Sequence, residues 1–219
     1  MKTIDLHIHT TASDGSYTPT ELVNYAVEKK LSVIAMTDHD TMNGVNEAMD
    51  YIEKKQLPLQ LIPGIEVSTY GSGHYMGFHI LGYFLDKSDK EKENIIKNLE
   101  IDLNDSSNSP SDAIKIIASY GGLSSLAHPL EYGLSTSELN KEVKKLAALG
   151  LDGIEGIYTT HSETKIQQFT EIAAEHGLIV TGGTDFHGNR KPGVDLGTGF
   201  GDLQIPYSII DALRNRASA

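Results

Sequence analysis

The sequence predicts an α/β fold, a TIM-type barrel or a distorted relative of one, on three observations. Short apolar runs alternate with amphipathic stretches of helical period along most of the chain, a pattern typical of a largely parallel sheet. Polar residues follow the end of nearly every apolar run, where barrels of this type carry their functional groups. With 219 residues and 39% hydrophobic content, the chain is long enough for one domain, residues 1–219, and its core.

The first element is a strand predicted at residues 3–10. Apolar residues alternate there with Asp5, His7 and His9, which is typical of a half-buried strand. Since successive side chains of a strand point to opposite faces, the three polar residues share one face. Two imidazoles on one face can converge on a cation, but a polar face that contacts solvent is the alternative, and this pair alone does not decide between them.

The later elements follow from the same two periodicities, and proline and glycine mark many of their ends. Pro19 and Thr20, for example, open the first helix. In chain order the sequence predicts helix 19–30, strand 32–36, helix 44–55, strand 59–62, a strand pair at about 74–84, a charged helix at about 89–99, a loop at 102–112, helix 111–120, strand 124–129, helix 137–149, strand 152–158, helix 163–176, strand 178–188 and a last helix 206–215.

Composition excludes several classes of function. The formal net charge of -12 argues against a general nucleic-acid or membrane-surface binder, because a polyanion would be repelled unless bound cations intervene. The chain has no cysteine, so any metal is held by nitrogen and oxygen ligands. No apolar run resembles a signal peptide or a membrane span, and we expect a cytoplasmic protein.

Nine potential metal ligands lie at or beside the ends of the predicted strands. They are His7, His9, Asp14, His39, Glu66, His79, His128, Asp185 and His187. The set is too large for one tetrahedral ion and predicts two or three divalent ions, with zinc, manganese and iron all suited to these ligands. Taken singly, His128 could merely end a strand and Glu66 could cap a turn. His176, before Gly177, is interpreted as a helix-terminal residue and not a ligand.

Six motifs that carry these residues resemble, in order, those of the PHP (polymerase and histidinol phosphatase) superfamily. They are DLHIHTTASDG, TDHD at residues 37–40, GIEVST, FHILGYF, LAHP and TGGTDFHG. The resemblance implies a distorted (β/α)7 barrel, a metal cluster and phosphoesterase activity. Within the superfamily the chain is most similar to the small stand-alone metal-dependent phosphoesterases, which act on phosphate esters of nucleotides or short oligonucleotides.

The resemblance also implies how the ligands divide among three ions. His7, His9, Glu66 and Asp185 would hold the first ion, and Glu66 would bridge to a second that is held by His79 and His128. Asp14, His39 and His187 would hold the third. Asp5 is then expected to accept a hydrogen bond from a ligating imidazole. Asp38 and Asp40 are weaker candidates for that role, and turn or cap chemistry is the favoured alternative for both.

The expected reaction is hydrolysis of a phosphate monoester, in which a hydroxide that bridges two ions attacks phosphorus. His161 is the candidate general acid or phosphate contact, with a surface histidine as the alternative. Arg190 and Lys191 are candidates to clamp a phosphate, with an exposed loop pair as the alternative. We expect a small phosphorylated partner, a nucleotide, with no membrane and no stable duplex nucleic acid. The oligomeric state stays open.

Larger relatives of this type carry a helical cap inserted after the strand that corresponds to residues 79–84. Here only about 25 residues separate Phe84 from Ser109, so we expect the cap to be missing or vestigial. Two other functions are weighed against the leading one. They are a histidinol-phosphate phosphatase, for which the chain is short, and a non-catalytic metal-binding module, which would be expected to have lost some of the nine ligands.

Overall fold

The structure is a computed structural model that describes residues 2–70, 77–85, 88, 90–92, 94–95, 98–99, 102 and 109–218. Seven strands form one sheet in the order β1 to β7, so each strand lies beside its neighbours in sequence. The sheet nearly closes on itself, because the backbone N–H of His9 donates to the carbonyl of Phe186 at 2.9 Å and that of Asp185 donates to the carbonyl of His7 at 2.9 Å. The predicted distorted barrel is therefore confirmed.

The elements alternate along the chain as the sequence predicts. The strands are β1 (Thr3–Asp5), β2 (Leu31–Met36), β3 (Gln60–Ser68), β4 (His79–Tyr83), β5 (Leu123–Leu126), β6 (Gly153–Tyr158) and β7 (Ile179–Gly183). The helices are α1 (Pro19–Glu28), α2 (Asn43–Lys55), α3 (Pro110–Ser119), α4 (Thr136–Ala148), α5 (Glu163–His176) and α6 (Ser208–Ala217). Short 3-10 helices at Pro129–Tyr132 and Gly188–Arg190 follow β5 and β7.

Local sequence explains where several helices begin and end. Thr18 caps α1 with Glu21 in a capping box, and Ser135 caps α4 in the same way with Glu138. Helix α5 ends at Gly177, whose φ of +67° is a conformation that glycine adopts without strain. Among the described residues, no helix is both long and apolar enough to cross a bilayer.

Strand β4 runs antiparallel to both of its neighbours, while the other pairs are parallel. The connection from β3 to β4, residues 69–78, is too short for the crossover that two parallel strands require. Ser68 pairs with His79, so the start of β4 lies against the end of β3. His79 therefore reaches the same end of the barrel as residues that follow the parallel strands.

Apolar side chains form two layers on either side of the sheet. Ile34 and Met36 of β2 belong to the larger cluster, which includes residues of the surrounding helices. Val33 and Ala35, which alternate with them, belong to a smaller cluster inside the barrel, and Ile210 of α6 contributes to it. The polar residues of interest lie at the opposite ends of the strands from α6, where the parallel strands finish.

The first strand departs from its prediction in two ways. Its ladder ends at Asp5, and only an isolated bridge between Ile8 and Phe186 continues it. Every residue from Ile4 to Thr10 is buried, so the prediction of a half-buried strand was wrong. The barrel closes around this segment and hides both of its faces. The predicted charged helix at 89–99 is helical at all of its described residues, which are 90–92, 94–95 and 98–99, and the rest of it lies outside the described residues, as do residues 74–76 of the predicted strand pair.

Candidate metal centre

Four buried side chains converge where β1, β3 and β7 finish, and we call them the inner group: His7, His9, Glu66 and Asp185. Nε2 of His7 lies 3.0 Å from Oε2 of Glu66, and Nε2 of His9 lies 3.1 Å from the same oxygen. Nε2 of His9 is also 3.1 Å from Oδ1 of Asp185. Ligands that lie about 2.1 Å from one tetrahedral ion are roughly 3.4 Å from one another, so this spacing fits a single cation.

The hydrogen bonding of the imidazoles supports that interpretation. Neither ring nitrogen of His9 has a hydrogen-bond partner among the described residues, although Nε2 has two carboxylate oxygens close by. Nδ1 of His39 and Nδ1 of His128 are buried and unpartnered in the same sense. Unpartnered buried polar atoms are rare in native proteins, and several in one cluster are expected where their lone pairs face a cation.

A second set of ligands lies nearer to solvent, and we call it the outer group: Asp14, His39 and His187. Nε2 of His187 lies 3.2 Å from Oδ1 of Asp14, and Nε2 of His39 lies 4.0 Å from it. Nδ1 of His9 is 3.8 Å from the same oxygen. His9 therefore contacts both groups, which the division implied by the resemblance did not include.

The remaining two predicted ligands surround the other oxygen of Glu66. Nδ1 of His79 lies 2.9 Å from Oε1 of Glu66, and Nε2 of His128 lies 3.0 Å from it. Glu66 thus contacts the two histidines of the inner group through Oε2 and this pair through Oε1, which is the arrangement expected of a bridging carboxylate. His39 also approaches Glu66, at 3.3 Å, so the three sets form one continuous cluster.

Glu155, which the sequence analysis did not single out, orients the inner group. It is fully buried in β6, where Oε1 lies 3.0 Å from Nδ1 of His7 and Oε2 accepts the backbone N–H of His128 at 2.7 Å. A carboxylate behind a ligating imidazole fixes its tautomer and leaves the other nitrogen free for the ion. The signal was present in the sequence, because a glutamate inside the apolar run GIEGIY is seldom buried without a partner.

Tyr158 at the end of β6 connects the cluster to two charged side chains. Its hydroxyl lies 2.7 Å from Oε1 of Glu131 and 2.8 Å from Oδ2 of Asp185. The ammonium of Lys191 donates to the same hydroxyl at 2.9 Å and to Oδ2 of Asp185 at 2.6 Å. This network holds Asp185 on the side away from the histidines and brings Lys191 to the cluster.

Three predicted supporting acids have other partners. Asp5 accepts from the backbone N–H groups of His7, Thr184 and Gly197, so the expectation that it fixes an imidazole was wrong. The reason is that Asp5 lies one layer below the rings, among backbone donors. Asp38 accepts from the backbone and hydroxyl of Thr10, and Asp40 accepts from the backbone of Ser68. Both therefore tie separate segments of the chain together, and their bonds are neither to an imidazole nor the local turn or cap bonds that the sequence favoured.

The cluster lies at the bottom of a cavity of about 330 Å³, which we call the metal pocket. Arg190 and Lys191 contribute to its wall, together with Glu131. His161 does not line it. That histidine is buried on the far side of Tyr158, with its ring centroid 5.1 Å from the tyrosine ring, and lines a neighbouring cavity. The general-acid role of His161 and the clamp role of Arg190 stay predictions.

Burial and charge act in opposite directions on the inner group. Burial lowers the pKa of His7, but Glu66, Glu155 and Asp185 raise it well above its usual range. The pKa of His9 is raised to about 9 by Asp185 and Glu66 against the effect of burial. The neighbouring histidines in turn hold the pKa of Glu66 well below its ordinary value, again against burial. Without an ion, the buried acids are therefore balanced by protons on the imidazoles.

The outer group behaves differently, because burial dominates there. Burial lowers the pKa of His39 and of His187, and the nearby carboxylates do not offset it. Nδ1 of His187 lies 2.9 Å from the carbonyl of Asp185, so it carries the proton and leaves Nε2 as an acceptor facing Asp14. These two imidazoles are neutral near pH 7 and ready to bind a cation.

The backbone around the cluster is tightly constrained. His128 and Asp185 have φ values of +26° and +56°, in a region that side chains other than glycine seldom adopt, and such strain is typical of functional sites. Gly183 has no room for a side chain, because a Cβ there would collide with the backbone and Cβ of His7. The close approach of β7 to the first strand thus depends on a glycine, and it sets where Asp185 meets His7.

Comparison with known proteins adds two sequence relatives and one solved structure of similar fold. A protein of Escherichia coli named 5'-3' exoribonuclease Rnm is 28% identical, over 88% of this chain and 87% of its own length. A 3',5'-nucleoside bisphosphate phosphatase of Chromobacterium violaceum is 25% identical, over 90% of this chain and 91% of its own. The solved structure of an amidohydrolase from Chromobacterium violaceum has a TM-score of 0.76 at 24% identity, covering 98% of this chain and 96% of that one.

The donor cluster and these relatives define the chain as a metal-dependent phosphoesterase built on a TIM-like barrel. The family model of the PHP domain matches residues 5–133, which is more than half of the chain. The chain therefore belongs to the PHP domain family, as its motifs indicated.

The comparison also bears on the expectation that the cap is missing or vestigial. The alignment with the Escherichia coli relative extends over 259 positions, while this chain has 219 residues. The relative therefore has segments with no counterpart here, which agrees with the expected loss of an insertion. The metal pocket of this chain is open enough for Asp14 to keep more than half of its side chain exposed.

Proposed function

We propose that this protein hydrolyses a phosphate ester of a nucleotide or short oligonucleotide, with two or three divalent ions bound by the nine predicted ligands. The observation that carries the proposal is the meeting, in one pocket, of this ligand set with Arg190 and Lys191. Two or three divalent ions would balance or outweigh the four carboxylates of the pocket and, with Arg190 and Lys191, would make it positively charged in a chain of net charge -12. Such a pocket selects a small anion, and phosphate is the anion that these groups bind best.

The relatives support a nucleotide as the substrate. The names of the Escherichia coli and Chromobacterium violaceum proteins share one chemical feature, a phosphate attached to a nucleoside. Their names differ in the bond that is broken, since one describes release of nucleotides from RNA and the other describes removal of a phosphate. We therefore infer the nucleotide class for this chain and leave the choice of bond to experiment. A cytoplasmic location stays a prediction of the sequence.

The ligand set fits zinc, manganese or iron, since it consists of imidazoles and carboxylates. Divalent ions bound there would lower the pKa of coordinated water and neutralise charge on the phosphate. The chain itself positions the ligands through Glu155 and the hydroxyl of Tyr158. Arg190 can donate two parallel hydrogen bonds to phosphate oxygens, whereas Lys191 already donates to Asp185 and contributes charge beside it.

The test is a hydrolysis assay on protein treated with a chelator and then supplied with manganese or zinc. Substrates are a nucleoside 3',5'-bisphosphate, a nucleoside 5'-monophosphate, a 5'-phosphorylated RNA of about five nucleotides, and histidinol phosphate. We expect turnover of at least one nucleotide substrate that depends on added metal, with histidinol phosphate the poorest.

Asp185→Asn serves as the inactive variant, because it removes a buried ligand charge at nearly constant volume. Asp211→Asn is its matched control, since Asp211 is exposed on α6 at the opposite end of the barrel. Equal loss of activity in both variants, or faster turnover of histidinol phosphate than of every nucleotide, would contradict the proposed function.

A further inference from the structure

A second cavity, of about 790 Å³, lies beside the metal pocket, and we call it the side cavity. It is formed by the segment after β6 and the loop before α6, and its lining includes His161, Glu163, Phe200, Asp202 and Leu203. None of the described residues that line it is a lysine or arginine. Since two carboxylates and no lysine or arginine line it, the side cavity disfavours phosphate and suits a neutral or amine-bearing group.

The side cavity and the metal pocket flank the same strand end. Tyr158 contacts a lining residue of each, since its hydroxyl lies 2.8 Å from Oδ2 of Asp185 in the metal pocket and its ring centroid lies 5.1 Å from that of His161 in the side cavity. Next to it, the hydroxyl of Thr159 donates to the carbonyl of Thr184 at 2.7 Å and ties the two walls together. One tyrosine side chain thus lies between the phosphate-binding groups and the side cavity.

His161 presents an unused hydrogen-bond acceptor in this wall. Its side chain is only 7% exposed and its Nδ1 lies 3.0 Å from the carbonyl of Gly156, so Nδ1 carries the proton. Nε2 is then an acceptor, and it has no hydrogen-bond partner among the described residues. Burial lowers the pKa of His161, which keeps the ring neutral. A buried acceptor without a partner is costly, and a ligand that donates a hydrogen bond would satisfy it.

Phe200 presents an unusual apolar surface in the same cavity. It is 62% exposed, which is rare for a phenylalanine, and it lies between Gly199 and Gly201, whose φ values are +57° and +112°. The turn is held by backbone bonds from Gly201 to Thr198 at 2.8 Å and from Leu203 to Thr198 at 3.1 Å. The loop therefore presents a flat aromatic face that the fold itself does not cover.

From these features we propose that the side cavity binds the nucleoside part of the substrate, with its base stacked on Phe200 and a donor group bonded to Nε2 of His161. The inference rests on the proposed function and deepens it, because it assigns the phosphate to the metal pocket and the base to a separate site. Aromatic side chains stack on nucleobases without regard to sequence. The donor is either the exocyclic amine of the base or the 2'-hydroxyl of the ribose, and the two are distinguished below.

The first arm of the test measures binding of adenosine by calorimetry, which requires no turnover. Phe200→Ala removes the exposed ring, and we expect it to weaken adenosine binding about tenfold. His161→Phe keeps a ring between Tyr158 and Phe169 but removes the acceptor, and we expect a similar loss. The matched controls are Leu149→Ala, another exposed apolar residue, and His176→Phe, a histidine whose Nε2 bonds Asn140 far from the cavity. Both controls should bind adenosine as the wild type does.

Two adenosine analogues identify the donor. Purine riboside lacks the amine, and 2'-deoxyadenosine lacks one hydroxyl. The wild type should bind one of them about tenfold more weakly than adenosine, and His161→Phe should lose that preference while Phe200→Ala retains it. If neither analogue differs from adenosine in the wild type, the hydrogen bond to His161 is disproved. Phe200→Ala, on an exposed loop, keeps the stacking claim testable even where His161→Phe fails to fold.

The second arm compares turnover of adenosine 5'-monophosphate with that of ribose 5-phosphate, which has the phosphate and no base. Both variants should raise KM for the nucleotide, with kcat unchanged, and should leave turnover of ribose 5-phosphate unaffected.

A fall in kcat on both substrates in His161→Phe would instead support the general-acid role and overturn the proposal. Variants that bind adenosine and hydrolyse the nucleotide as the wild type does would also overturn it, with the proposed function intact. If the wild type binds adenosine, the variants do not, and no substrate is hydrolysed, then the assignment of the side cavity is right and the proposed function is wrong.

Discussion

The inner and outer ligand groups are built from the same residue types, yet their surroundings differ. In the inner group the side chains of His7, His9 and Glu66 are at most 1% exposed. In the outer group the side chain of Asp14 is 57% exposed and that of His39 is 27% exposed. Glu155 and Tyr158 support the inner group from within β6, while the outer ligands lie in the segments that follow β1, β2 and β7.

The difference predicts that the two groups would bind their ions with unequal affinity. The inner group is assembled by the barrel itself, since His7 and Asp185 are fixed by the pairing that closes it. The outer group adds ligands from loops, and loops rearrange at lower cost. We therefore expect an inner ion that is bound tightly and an outer ion that exchanges with solvent.

The largest effect is expected from the inner group. Asp185→Asn should reduce hydrolysis at least about 10³-fold and lower the number of bound ions, because the buried imidazoles lose the charge that helps to bind a cation. Activity and metal content measured on the same sample would check it, with circular dichroism to show that the barrel is folded. Unchanged turnover would show that Asp185 is not a ligand that hydrolysis requires.

A smaller effect is expected behind the ligands. Glu155→Gln should lower the affinity of the inner ion about 10- to 100-fold, because the variant no longer fixes the tautomer of His7 with a negative charge. Competition with a chelator of known affinity measures the change. If Glu155→Gln reduced the affinity of the outer ion alone, the division into two groups would be wrong.

A still smaller effect is expected in the outer group. Asp14→Asn should remove one exchangeable ion and reduce hydrolysis about tenfold, because Asp14 is exposed and its charge is screened by solvent. Elemental analysis after gel filtration should show the inner ion retained. Loss of all bound metal in this variant would contradict the ranking of the two groups.

The smallest measurable difference concerns protons. At pH 7 the raised pKa values of His7 and His9 keep these rings protonated in the metal-free protein, so binding of the inner ion should release about two protons. His39 and His187 have lowered pKa values and are neutral at that pH, so the outer ion should release almost none. Calorimetry in two buffers of different ionisation enthalpy measures the release, and Asp14→Asn isolates the inner ion. If both ions released the same number of protons on binding, the inner and outer groups would not differ in the protonation of their imidazoles.

Much of the site could be predicted because each ligand is placed by a strand end that the sequence marks. His7, Glu66 and Asp185 follow or lie in apolar runs, and parallel strands bring such positions to one end of a barrel. His79 could be placed because a short connection forces an antiparallel strand. The candidate metal ligands were predicted from the chemistry of strand ends, without knowledge of how the helices pack, and the structure brings them together in one cluster.

The rest depended on contacts that no local pattern encodes. Glu155 and Tyr158 lie within a strand, and their partners His7 and Asp185 are far away in the sequence. The sequence could not place His161 relative to the metal pocket, because a residue directly after a strand can face either side of it, and here Tyr158 lies between His161 and the metal pocket. The burial of both faces of the first strand likewise follows from barrel closure.

The measurement that tests the account most directly is titration of manganese into chelator-treated protein, with bound metal and phosphate release from a nucleotide recorded at each point. We predict no release without metal, and hydrolysis that appears as the ions bind and is lost again on chelation. Full turnover by the metal-free protein, or two or three bound ions with no turnover of any phosphate ester, would contradict the account.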